Sequence, residues 1–172
     1  PESVRIISQH HEAIDGKGYP KGLSGKQLSP AVRIVGMVNR YDNLCNPPHR
    51  NDAATPAEAL ATLFKREQSH WDQNLLQHLV RLIGVYPPGS IVQLSNGNIG
   101  IVVSVDRSDL LRPSIMLYDP GTPRSEAIIV DLTASAGVKI DAVLRPEDLS
   151  PPVSRYLAPK RQLSYFHGKR DE

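Results

Sequence analysis

His10-His11-Glu12-Ala13-Ile14-Asp15-Gly16-Lys17-Gly18-Tyr19-Pro20-Lys21-Gly22-Leu23 sets two adjacent imidazoles and two carboxylates just ahead of a loop punctuated by glycine and proline. Gly16, Gly18, Gly22 and the following Gly25 offer positive-φ freedom and Pro20 fixes one bend, so the stretch reads as a structured loop with tight turns. Such a loop also lets backbone N–H groups approach an anion closely. Val4 and Ile7 recur at helical spacing, which places His10 and His11 at the end of a helix running from about Ser3. Successive helical side chains point roughly 100° apart, so the two imidazoles suit two adjacent metals better than chelation of one. That geometry predicts a multinuclear site.

Three helices are predicted after the loop. Ser29-Pro30 has the cap-plus-proline form of a helix start, and Val35, Val38, Tyr41 and Cys45 recur at helical spacing to about Leu44. Thr55-Pro56-Ala57-Glu58 is a capping box opening a helix to about Arg66. A third helix, from about Gln73 to Ile83, carries Leu75, Leu76, Leu79, Val80 and Leu82 before Gly84 stops it. At Tyr86-Pro87-Pro88-Gly89 the pattern changes to strands. Ser90 to Leu94 and Asn98 to Val105 flank Ser95-Asn96-Gly97, an Asn-Gly hairpin signal. Further strands are predicted over Ser114 to Tyr118 and Ala127 to Leu132, a single helical turn at Pro-Glu-Asp-Leu 146–149, and a linker at Ser150-Pro151-Pro152. The fold class expected is α+β, divided into helices over 1–85, a small antiparallel β-rich part over 86–149, and a linker with a basic tail over 150–172.

The run HHEAIDGKGYPKGLSGKQLS, followed by AVRIVGMVNRYDNL, resembles the second half of an HD-GYP domain, the family of metal-dependent phosphodiesterases that hydrolyse the bacterial messenger cyclic di-GMP. The likeness fixes the paired His, the Asp-Gly, the Gly-Tyr-Pro and the downstream Gly-Leu together. GVYPPGSIVQLSNGNIGIVV and VLRPEDL are similar to the β-rich extension that often follows the domain, which carries the likeness to about residue 150. The resemblance implies that the helices form the C-terminal part of an HD-type bundle. No adjacent His-Asp pair occurs in the chain. The family's name-giving dyad lies upstream of the paired His, and the chain opens at Pro1, so a fragment of a larger protein is expected.

What the resemblance implies for the site is residue-specific. His10 and His11 correspond to metal ligands, and two or three divalent metals, Fe or Mn by ligand type, would activate a water for attack on the phosphodiester, giving pGpG or GMP. The position where the family usually has an Asp ligand holds Asn39, which can coordinate but is neutral and cannot bridge two cations as a carboxylate does. Of the basic residues that commonly bind substrate phosphate a few positions on, Arg50 alone stands in a matching place. Glu12 and Asp15 are candidates to orient the imidazoles, with Asp15 as a cap of the turn into Gly16 the competing reading. Gly18, Tyr19 and Pro20 are candidates for substrate contact: Tyr19 either stacks on a nucleotide or pins the loop to the helices, and Gly18 is structural with its N–H available to a phosphate. His49, His70, His78 and His167 read as plain surface histidines, and Asp42 as a structural helix partner.

Composition bounds the alternatives. A net charge of +2 over 172 residues is too small for broad nucleic-acid binding, so no DNA partner is expected, and the basic end with Lys160, Arg161, Lys169 and Arg170 reads as a solvated tail. No apolar run approaches the length of a membrane span. A single cysteine, Cys45, excludes an internal disulfide framework and fits a reducing cytoplasm, which the resemblance implies is bacterial. Cyclic di-GMP is the expected ligand, and the resemblance leaves GGDEF-domain proteins and a homodimer open as partners. The alternative function is a catalytically silent relative that binds nucleotide or protein as a regulatory module. In a third reading the β-rich part recruits partners and the helices serve as scaffold. The 172 residues alone are expected to be inactive.

Overall fold

The computed structural model describes residues 1–49 and 53–158. Arg50, His167 and the basic tail residues named above lie outside them. The helical part comprises α1 (Glu2–Gln9), α2 (Pro30–Cys45), α3 (Pro56–Lys65) and α4 (Gln73–Ile83). Each of the last three starts on the side chain that caps it. Ser29 Oγ accepts the Val32 N–H at the head of α2, and Asp72 accepts from Asn74 and Leu75 at the head of α4. Thr55 and Glu58 exchange both bonds of a capping box at α3. Gly84, with φ of 80°, ends α4 where the chain must leave the helix.

Met37, Tyr41, Ala59, Leu60, Leu63, Trp71, Leu76 and Leu79 form the core between α2, α3 and α4. Tyr41 and Cys45 turn inward as their spacing implied, but Val35 and Val38 face out, and the buried stripe of α2 runs through Val32, Gly36, Met37 and Tyr41. Burial pushes the Cys45 thiol up to about 11, so it stays protonated and inert. α1 differs from the others: it is amphipathic yet none of its residues is buried.

The second part is a five-stranded antiparallel sheet in the order β4-β3-β2-β1-β5. β1 (Ile91–Leu94) and β2 (Ile99–Ser104) form the Asn-Gly hairpin, with Gly97 at φ 83°, and β3 (Ser114–Leu117) and β4 (Ile129–Asp131) follow. β5 (Ile140–Leu144) was not foreseen; it crosses back to pair with β1. Val92, Leu94, Val102, Ile115 and Leu132 pack one face. The other face, with Ile91 and Ile101, is covered by Leu157 of α5 (Pro151–Leu157). This corrects the linker expected at 150–152: Ser150-Pro151 begins a docked helix. Pro146–Asp148 is the single helical turn expected.

Among the described residues, the parts meet at Gly84 and at Glu58. Val105, at the end of β2, packs so close to Gly84 that a Cβ there would lie 2.6 Å from its side chain. Arg145, just past β5, donates to Glu58 of α3 at 2.8 Å and 2.7 Å. No helix among the described residues is long and apolar enough to cross a membrane.

Candidate metal centre

α1 ends at His10, whose backbone is still helical. Its ring Nδ1 lies 2.8 Å from the Ile7 carbonyl. A carbonyl only accepts, so Nδ1 carries the proton and the Nε2 lone pair is left for a Lewis acid. His11 follows with its ring centroid 4.0 Å from that of His10 and tilted by 40°. Partial burial, and secondarily the repulsion that His10 would exert were both rings protonated, hold the His11 imidazole below its usual pKa, which favours the neutral ring that metals bind. α2 passes directly against this corner: a Cβ on Gly36 would come within 2.9 Å of the His10 carbonyl oxygen. Asn39, half-buried, stands three residues beyond Gly36 in α2, within one turn of it.

The loop that follows is folded on itself. Gly16 N–H donates to the Ala13 carbonyl, Tyr19 N–H to that of His11 and Gly25 N–H to that of Ile14. Lys17 N–H goes to Asp15 and Ser24 N–H to Gln27. Lys21 and Leu23 N–H go to the two oxygens of Glu12 at 2.7 Å and 2.9 Å. These amides are therefore occupied, so the loop offers an anion fewer backbone N–H groups than expected. Gly18 itself is needed for a different reason from the one foreseen. Gly16, Gly22 and Gly25 have positive φ and Gly18 does not, but a Cβ on Gly18 would lie 2.4 Å from Ala13 N and Glu12 Cα. Close approach of two backbone segments demands it.

Glu12 makes its hydrogen bonds to backbone amides rather than to an imidazole. It is 3% exposed and its carboxylate holds the loop through backbone amides. Asp15 caps its turn through Lys17 N–H and also accepts from Ser69 Oγ at 3.2 Å, with His70 Nε2 at 3.5 Å. Tyr19 stacks on His11 at 4.6 Å and 20°, which pins the loop to the paired histidines while leaving the phenol 60% exposed. The peptide from Tyr19 to Pro20 is cis. Asp42 accepts from Asn46 at 2.9 Å, a helix-end contact as expected.

Sequence reasoning passed over three residues that hold this loop. His70, read as plain surface, is drawn to Asp15, and its carbonyl accepts the Ile14 N–H at 3.0 Å. Ser69 reaches the same carboxylate. Arg33 fans out from α2 to the carbonyls of Leu28 and Gly25 and to Asp72 Oδ2. All three contacts span distant parts of the chain or depend on side-chain direction, so no local motif announces them. The Asx-type cap at Asp72 was the one available signal.

The donor set suits part of a metal shell. Imidazoles, with an amide oxygen as a weaker partner, are fitting ligands for first-row metals, yet no group of three or more His, Cys, Asp or Glu among the described residues is arranged to hold a metal ion.

Against known proteins, the HD domain family matches residues 2–75, the helical part that carries the paired histidines. The chain is 30% identical over 115 residues to a cyclic di-GMP phosphodiesterase of Pseudomonas aeruginosa, a match covering 67% of this chain and 28% of that protein. It is 27% identical over 106 residues to the cyclic di-GMP phosphodiesterase PdeB of Borreliella burgdorferi, covering 62% and 28%. With a 3'3'-cGAMP-specific phosphodiesterase of Vibrio cholerae it shares 32% identity over 86 residues, covering 49% and 18%. The chain belongs to the HD-GYP family. The matches span less than a third of the length of these relatives.

Proposed function

We propose that the whole protein is a metal-dependent phosphodiesterase that cleaves cyclic di-GMP to pGpG or GMP. The observation that carries the reading is the pair of neighbouring imidazoles with His10 Nε2 left free by the Nδ1 bond to Ile7. In this reading His10, His11 and Asn39 hold part of a centre of two or three divalent ions, Fe or Mn, which when bound supplies an activated water and neutralises charge on the phosphate. The exposed Tyr19 ring is available to a guanine base, and Pro20 shapes the loop that presents it. Arg50 and the Gly18 N–H are assigned to the phosphates.

Two imidazoles and one amide do not complete such a centre, and α1, none of whose residues is fully buried, offers the exposed Val4 and Ile7 to a further element. We assign the missing ligands to elements outside these 172 residues. The chain by itself then binds divalent metal weakly and turns nothing over. The test is hydrolysis of cyclic di-GMP and of 3'3'-cGAMP by the whole protein with manganese or iron, followed by chromatography. Turnover of cyclic di-GMP that is lost in His10→Ala and His11→Ala supports the reading; absence of turnover of either nucleotide despite bound metal overturns it.

A second reading, a silent relative that binds nucleotide or protein, is favoured by one residue. Asn39 removes a negative charge from the place where the family carries an Asp, and with it a bridging ligand. Tight binding of cyclic di-GMP without hydrolysis would select it. Cytoplasmic location, a homodimer and contact with GGDEF-domain proteins belong to the same proposal, tested by fractionation, by light scattering and by pull-down with purified cyclase domains.

A further inference from the structure

The geometry points to Glu12 as a positioning residue that folds the Gly-Tyr-Pro loop back so that Tyr19 covers the His11 ring. This rests on the metal reading only for its functional meaning, since the arrangement itself is built from contacts within the chain. Glu12 is buried directly after the paired histidines, and each of its oxygens takes one amide of the returning arm, Lys21 on one and Leu23 on the other. A buried carboxylate is costly unless its lone pairs are met, and two backbone N–H groups meet them without a counter-ion. Between the two ends of this clamp, Gly18 crosses within contact distance of the backbone of residues 12 and 13, where no side chain fits. Tyr19 is thereby delivered onto His11 twice over: its N–H reaches the His11 carbonyl at 3.2 Å and its ring lies on the imidazole.

The consequence concerns His11 alone. His10 is held by its own bond to Ile7, whereas among the described residues the aromatic contacts of the His11 ring are with its neighbour and with Tyr19. A ligand held in one orientation before the metal arrives spares the entropy of ordering it afterwards. Glu12 thus acts on His11 through the loop, from a position where it touches no imidazole.

Glu12→Gln keeps the size but replaces one acceptor oxygen with an NH2 that faces a backbone N–H. In the metal-free chain, we expect faster amide exchange at Lys21 and Leu23, and loss of the Tyr19 ring-current displacement from the His11 proton signals, with the signals of α3 and α4 unmoved. Loosened amides with an undisturbed His11 signal would overturn the proposal, as would amides that keep their protection. Should Glu12→Gln fail to fold, Tyr19→Ala in the native background decides: the two amides should stay protected while the His11 displacement disappears, and a His11 signal that does not move refutes the cover. Manganese separates this from the metal reading. In the whole protein, Glu12→Gln should weaken manganese binding by about tenfold, the lower end of what supporting residues around metal ligands contribute. If manganese never broadens His10 or His11 while the ring-current result holds, the metal reading fails and the positioning role stands.

Discussion

One methyl group separates Gly18 from alanine, and the structure leaves no room for it: the added carbon would lie 2.4 Å from Ala13 N and Glu12 Cα, both backbone atoms that cannot swing aside. Gly18→Ala is therefore expected to destabilise the chain by about 1–3 kcal/mol, the range of overpacking in a tight site, read in urea denaturation together with loss of the Tyr19–His11 contact by NMR. The sequence pointed to glycine here for conformational freedom, whereas the cause is crowding. Periodicity and turn statistics report φ well and neighbours poorly. Asn39 is the opposite case, legible from the chain because a neutral amide replaces an expected acid. Asn39→Asp in the whole protein should tighten manganese binding by about tenfold, roughly 1.4 kcal/mol, measured by calorimetry. Unchanged affinity would remove residue 39 from the ligand set.

At the scale of elements, those that start on their own caps were readable. Ser29, Thr55 and the Asn-Gly turn each act within four residues, so their physics is printed locally. β5 and α5 were not, for two different reasons. β5 pairs with β1 nearly fifty residues away, and its alternating half-exposed residues give it no strong apolar run. α5 begins with the same Ser-Pro signal as α2, but its two prolines resemble a linker, and what makes it a helix is the sheet beneath it. Leu157 is fully buried there, so Leu157→Ala should cost about 2–5 kcal/mol. Chemical denaturation checks the magnitude, and faster exchange along β1 and β2 would localise the effect.

Across the whole molecule, Glu58 serves two masters. It closes the capping box of α3 and receives Arg145 from the sheet. Burial pushes its pKa up, but the Thr55 amide, Arg145 and the Thr55 hydroxyl outweigh that and hold it below the usual carboxylate range. A carboxyl lowered on folding contributes stability that is complete above its unfolded pKa and lost as pH falls through the folded one. Asp72 follows the same sign: burial opposes ionisation, while the Leu75 and Asn74 amides and Arg33 favour it. Stability should accordingly be level at neutral pH and decline on acidification below the usual carboxylate range, with Glu58→Gln flattening part of that decline in thermal melts. Because the sheet is fastened at the head of α3, acid should release the two parts from each other before either core melts. A longer-range dependence starts at α1. Eight residues are too few to persist as a helix in water without packing, and His10 is oriented by a bond to the last turn of this one. An element docked on Val4 and Ile7 would therefore also aim an imidazole, so that occupancy of a greasy flank and the set of the paired histidines would become a single event.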